Sequence, residues 1–122
     1  MISDSKYKEI VENANSIILL MNNRGGIIFL NQFGQRFFGY RDTDILGENV
    51  IGTIVPQSNS AGEDLDKMIK KILGNPQEYS INENENMRSN GERVHVLWTN
   101  KAIIGYDASI QEILCIGNQI KK

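Results

Sequence analysis

Two periods of apolar spacing alternate along this chain, and the points where one gives way to the other divide it into elements. Tyr7, Ile10, Val11 and Ala14 fall at i, i+3, i+4 and i+7 behind Asp4 and Ser5, which can cap, so a short amphipathic helix is predicted over 7–14. Residues 17–21 form an unbroken apolar run of strand length. Asn22-Asn23-Arg24-Gly25-Gly26 then reads as a turn, and Ile27–Leu30 as the second strand of a hairpin. Asn31 can cap the helix that follows, where Phe33 and Phe37 lie one turn apart on one face before Phe38-Gly39-Tyr40 breaks it. Asp42 can cap a further single turn carrying Ile45 and Leu46, and Gly47 stands where a left-handed residue is expected. The mostly apolar stretch 49–56 is too short for a free-standing helix and predicts a turn or two packed on the core.

The strongest helical pattern covers 63–73, with Leu65, Met68, Ile69, Ile72 and Leu73 in one stripe. Glu63, Asp64 and Asp66 stand early and Lys67, Lys70 and Lys71 late, an order that complements the helix dipole. The loop 58–62 can cap it, and Gly74 and Pro76 end it. Past Glu78 the helical period vanishes. Segments 79–88 and 93–104 flank Ser89-Asn90-Gly91, a strong hairpin signal, and 110–120 is a last strand after the turn 105–109. Helices grouped between two blocks of strands predict an α+β fold on a single antiparallel sheet.

Composition narrows the class. A chain of 122 residues with 40% hydrophobic and 23% charged residues suits one globular domain spanning 1–122. Thirteen basic against fifteen acidic side chains give a net charge of −2, so neither nucleic acid nor an anionic membrane surface is an expected partner. No apolar run approaches the ~20 residues needed to cross a bilayer, and the opening MISDSKYKEI lacks the apolar core of a signal peptide. Cys115 stands alone, which excludes an internal disulfide and agrees with the cytoplasmic location expected here.

Taken in order, the strand 27–30, Asn31, the aromatic helix, Gly39-Tyr40, the short acidic turn and Leu46-Gly47 resemble the front half of a PAS domain. The second half, GERVHVLWTNKAIIGYDASIQEILCIGN, is similar to the C-terminal PAS strands, so the resemblance runs from about Tyr7 to Ile120. It implies a five-stranded antiparallel sheet with short helices and one longer helix on one face. Residues 1–14 then form a flanking amphipathic helix and 15–120 the core. It also implies a sensory or regulatory module of a longer bacterial-type signalling protein, such as a two-component histidine kinase or a cyclic-dinucleotide synthase, rather than an enzyme. Many PAS domains close with Asp-Ile-Thr, which ties the last strand to the output helix. Here Gln119-Ile120-Lys121 stands in that place, without the carboxylate.

Candidate chemistry is sparse. His95 is the only histidine, whereas the haem sensors of this family carry theirs on the long helix, and 63–73 has none. The flavin photoreceptors carry Asn-Cys-Arg-Phe-Leu, which this chain lacks, so no cofactor and no metal is expected. Period-two alternation puts Val94, Val96, Trp98 and Asn100 on one strand face, read as the core face, and His95, Leu97, Thr99 and Lys101 on the other. A buried Asn100 would need hydrogen-bond partners, which makes Trp98 and Asn100 the best candidates for pocket lining. Phe33 and Phe37 are further candidates, although core packing also accounts for them. Cys115, between Leu114 and Ile116, reads as a small buried side chain. For Ile81-Asn82-Glu83-Asn84-Glu85-Asn86 a polar patch lining a cavity or contacting a partner competes with a solvated strand face, and the solvated face is preferred.

Neither a Ser-His-Asp set nor a phosphate-binding loop is present. Two functions follow: a sensor that binds a small ligand between sheet and short helices and relays it to an output domain, or a ligand-free dimerisation and relay module with a packed core. In either case a homodimer through the N-terminal helix and the outer sheet face, near His95 and Leu97, is expected.

Overall fold

The computed structural model describes residues 4–120. Lys121 of the closing tripeptide and the side chain of Tyr7 lie outside the described residues. Helix α1 (Asp4–Glu12) leads into the hairpin β1 (Ile17–Asn22) and β2 (Ile27–Leu30). Three helices follow, α2 (Gln32–Phe38), α3 (Asp42–Ile45) and α4 (Leu65–Gly74), and then the strands β3 (Ile81–Met87), β4 (Arg93–Ile104) and β5 (Ile110–Ile120). The strands form one sheet in the order β2-β1-β5-β4-β3 with every neighbouring pair antiparallel. The last strand thus closes the middle of the sheet, beside the first.

One face of this sheet is covered. Ile17, Leu19, Met21, Val94, Val96, Trp98, Ile113 and Cys115 point to it and are buried, as are Phe38 of α2, Ile45 of α3 and Leu65, Ile69 and Ile72 of α4. Val50, Ile54 and Val55, in the turns between α3 and α4, complete the core. The alternation expected on β4 holds residue by residue: Val94, Val96, Trp98 and Asn100 are buried while Leu97, Thr99 and Lys101 are exposed.

Asn31, with no exposed surface, ties the elements together. Its Oδ1 accepts from the N–H of Gly34, capping α2 at 2.9 Å, and from the N–H of Ile18 at 3.0 Å. Its Nδ2 donates to the carbonyls of Val11 at 3.1 Å and Ser16 at 2.9 Å. All four hydrogen-bonding positions of the amide are used, joining the end of α1, the start of β1 and the start of α2.

Several local expectations shift. Helix α1 starts at Asp4 and ends at Glu12, where the Asn31 amide takes the carbonyl of Val11. Arg41, not Asp42, occupies the N-cap position of α3, whose first turn is closed by Asp44 accepting from the Arg41 N–H at 3.2 Å. Helix α4 starts at Leu65 rather than Glu63, since the Asp64 carboxylate caps it by accepting from the Lys67 N–H at 3.1 Å. Gly47 and Gly91 take the left-handed conformation, with φ of 88° and 90°.

The largest correction concerns the asparagine run on β3. Asn84 and Asn86 are 9% and 0% exposed, and with Asn82 they turn towards the covered face. Inverting the preferred reading, the polar stripe of this strand is its inner face.

Candidate functional site

Beneath α4 the sheet leaves a cavity of about 30 Å³. Strands β3 and β4 form its polar side, through the antiparallel register that sets Asn82 opposite Trp98, Asn84 opposite Val96 and Asn86 opposite Val94. Leu19 and Met21 of β1 and Cys115 of β5 line another side, and Ile54, Ile69 and Ile72 close it from the helical layer.

Four amides and one indole sit among these apolar walls. Trp98 is 5% exposed and donates through Nε1 to Asn86 Oδ1 at 3.0 Å, while Asn86 Nδ2 donates to the carbonyl of Ile54 at 3.0 Å. Both ends of Asn86 are therefore engaged, holding the indole and the 50–55 segment in place. The Trp98 ring lies over Gly117, its partner on β5, where an added Cβ would stand 2.7 Å from Cζ3. Only a glycine admits the ring there. Asn100, 7% exposed, donates through Nδ2 to the carbonyl of Tyr79 at 3.0 Å.

The two remaining amides differ. Oδ1 of Asn82 and Oδ1 of Asn84 are buried and accept no hydrogen bond. Each such oxygen, removed from water and left unpaired, costs about 1–3 kcal/mol. A core under selection for packing alone would replace them with apolar side chains of similar shape. Burial alone pushes the Cys115 thiol up to about 12, so it faces the cavity as a neutral, inert group.

Asn84 also lines a surface groove of about 480 Å³, together with Asn59, Ser60, Ala61, Glu83 and His95. Asn84 thus borders both the groove and the cavity. The groove's far bank is the loop before α4, pinned to the sheet by Arg93, whose Nη1 donates to the carbonyl of Ser58 at 2.8 Å and to Glu85 Oε2 at 2.6 Å. Desolvation raises the pKa of the Glu85 carboxyl, and the hydrogen bonds from Arg93 and Ser60 outweigh this, leaving it below its usual value.

Of the residues singled out in the sequence, Trp98 and Asn100 line the cavity and Phe33 and Phe37 do not. Helix α2 turns Gly34 and Phe38 inward, which leaves Phe33 and Phe37 half-buried on its flank, ring centroids 6.5 Å apart and 11° from parallel. The Arg88 guanidinium covers Phe37 at 4.5 Å from its centroid. Both rings pack against the core, and Phe37 also meets the β3–β4 hairpin, where the Ser89 N–H donates to the Phe38 carbonyl at 2.7 Å. His95 is half-buried and faces the groove, away from the cavity. Asn82, Asn84 and Asn86 line the cavity, the reading of this run that the sequence offers but sets behind a solvated strand face. Their signal was the strict Asn-Glu-Asn-Glu-Asn alternation, which sorts amides to one face and carboxylates to the other.

The model of the PAS fold matches residues 5–120. None of the curated proteins compared with the chain matches it significantly. Among solved structures, a PAS domain of a protein from Colwellia psychrerythraea superposes with a TM-score of 0.77 at 15% identity, covering 95% of each chain. The PAS domain of an HTR-like protein from Haloarcula marismortui gives 0.72 at 17%, over 95% of this chain and 90% of that one. A PAS domain from a two-component sensor histidine kinase gives 0.67 at 11%, over 93% of each. At such identities the structural likeness shows the fold alone, and the family model adds membership: the chain belongs to the PAS family of sensory and signalling domains.

Proposed function

We propose that this PAS domain is the sensor of a signalling protein and that its signal is a small molecule bound between the sheet and α4. The observation that carries this reading is the pair of buried, unpartnered carbonyl oxygens of Asn82 and Asn84, two residues that line the cavity together with Trp98. A module that only packs and relays has no use for two uncompensated polar atoms in its core. Binding favours the arrangement of α4 and its preceding loop that best closes on the ligand, and the shift passes along the sheet to the chain ends. The kinase-derived PAS domain among the structural relatives supports an output of that type. Melting the protein against a metabolite library while following Trp98 emission tests the proposal. At least one compound should both raise the melting temperature and shift the emission. A library without any such compound, on a protein that Asn84→Leu destabilises, would favour the packed module.

A second observation supports association through the outer face. Ile18 and Leu20 of β1, Leu114 and Ile116 of β5, and Leu97 of β4 form a neighbouring apolar set on the uncovered side, with Ile116 and Leu97 exposed. Ile10 of α1 is 52% exposed as well. The homodimer proposed here buries these surfaces together. Sedimentation of Ile116→Glu and Ile10→Asp should show a smaller species than the parent, and an unchanged distribution counts against it.

A further inference from the structure

The sensor reading leaves the chemistry of the signal open, and the inference that follows rests on that reading. We infer that the site takes a small neutral molecule with an amide-type edge, an N–H beside a C=O, as in a carboxamide, lactam or ureide.

Charge is the first discriminator. The cavity is lined by apolar side chains, the indole of Trp98, the neutral thiol of Cys115 and asparagine amides, with no ionised side chain among them. A carboxylate, phosphate or ammonium placed there would lose its hydration without a counter-charge. Hydrogen-bonding type is the second. The unpartnered atoms, Asn82 Oδ1 and Asn84 Oδ1, are acceptors and require a donor. Each sits on an amide whose other end is a donor, and rotation of the side chain by half a turn exchanges the two. The complement that satisfies such a group in either orientation is another amide, which closes two hydrogen bonds at once. A ketone or ether offers acceptors only and leaves the carbonyl oxygens as they are. The third discriminator is size. A space of about 30 Å³ holds roughly two waters, so the site admits a molecule of at most one small ring, and only as the neighbouring wall yields.

The wall that yields is indicated by Asn84, whose side chain borders both the cavity and the groove at the edge of β3. A ligand arriving there meets Asn84 first and Asn82 next along the same strand, while Ile54, Ile69 and Ile72 receive its apolar body. Beside the Arg93 bonds that pin this bank of the groove, the Ser60 N–H donates to Glu85 at 3.4 Å, the longest of its ties to the sheet.

Three isosteres separate the possibilities: propionamide, propionate and butanone, each titrated into ¹⁵N-labelled protein in the millimolar range expected of so small a ligand. Propionamide should shift the side-chain amide signals of Asn82 and Asn84 and the Trp98 indole N–H saturably, at least tenfold more tightly than butanone. Propionate should leave them in place. Asn84→Leu and, independently, Asn82→Leu should abolish the preference for propionamide over butanone. Butanone binding as tightly as propionamide at the same signals would overturn the assigned ligand class and leave the sensor reading standing. Saturable binding of propionate would also overturn it. If all three isosteres leave every cavity signal unmoved, both this assignment and the sensor reading on which it rests fall.

Discussion

Replacing Asn31 by alanine should be among the most damaging single changes in the chain. The side chain is completely buried and fills four hydrogen-bonding roles at 2.9–3.1 Å, two as acceptor and two as donor. Losing the cap on α2 costs about 1 kcal/mol. The N–H of Ile18 and the carbonyl of Ser16 lose this partner too, and the carbonyl of Val11 keeps only a 3.4 Å bond from the Ala14 N–H, at about 1–3 kcal/mol for each that water fails to reach. Taking one or two of the three as dry gives a total of about 3–5 kcal/mol. For a domain of this size that lowers the melting temperature by about 10–20 °C. Asn31→Ser keeps an oxygen for the cap and should recover about 1 kcal/mol, whereas Asn31→Asp sets a carboxylate against the two carbonyls and should recover nothing. Urea denaturation of the three variants reads the magnitudes, and amide exchange at Ile18 and Gly34 locates the loss. A cost below about 1 kcal/mol for Asn31→Ala, with unchanged exchange at both amides, would refute the idea that this residue joins α1 to the core.

Trp98→Ala removes a buried ring and its bond to Asn86, and should cost about 3–5 kcal/mol, while the exposed Lys101→Ala should stay within about 0.5 kcal/mol in the same denaturation assay. Glu85 predicts a pH dependence: its folded pKa lies below the usual 4.5, so its contribution is complete above that value and is lost as pH falls through the lower, folded pKa. The unfolding free energy of Glu85→Gln should therefore fall less steeply than that of the parent below about pH 4.5. Parallel curves would place the acid sensitivity elsewhere.

Much of the fold was legible because hydrophobic contrast was strong. The hairpin at 17–30, the bounds of β4 and β5 and the inward set Val94, Val96 and Trp98 all follow from apolar spacing, and the structure places them there. On β3 that contrast is missing. Asparagine and glutamate are both polar, so hydropathy alone does not tell which of the two faces inward. The answer comes from tertiary placement: Ile69 and Ile72 of α4 lie over Asn82 and Asn84, and the loop at Ser58–Ser60 covers Glu85. The same limit applied to Phe33 and Phe37. Their shared face was readable from the helical period, but which neighbour that face meets was not. Asn100 was correctly read as a buried amide in need of a partner. Since it finds one in the Tyr79 carbonyl, Asn84 and not Asn100 is the position whose substitution separates a sensor from a packed module.

The central claim is that the amides of Asn82 and Asn84 are kept for a ligand at the expense of the empty protein's stability. The most direct test is the unfolding free energy of Asn84→Leu measured without ligand. The swap removes an unpartnered carbonyl and puts a side chain of similar shape against Ile54, Ile69 and Ile72. The account predicts a protein at least as stable as the parent, by up to about 2 kcal/mol. A loss of about 2 kcal/mol or more in a correctly folded variant would show that Asn84 is a satisfied structural residue and would contradict it.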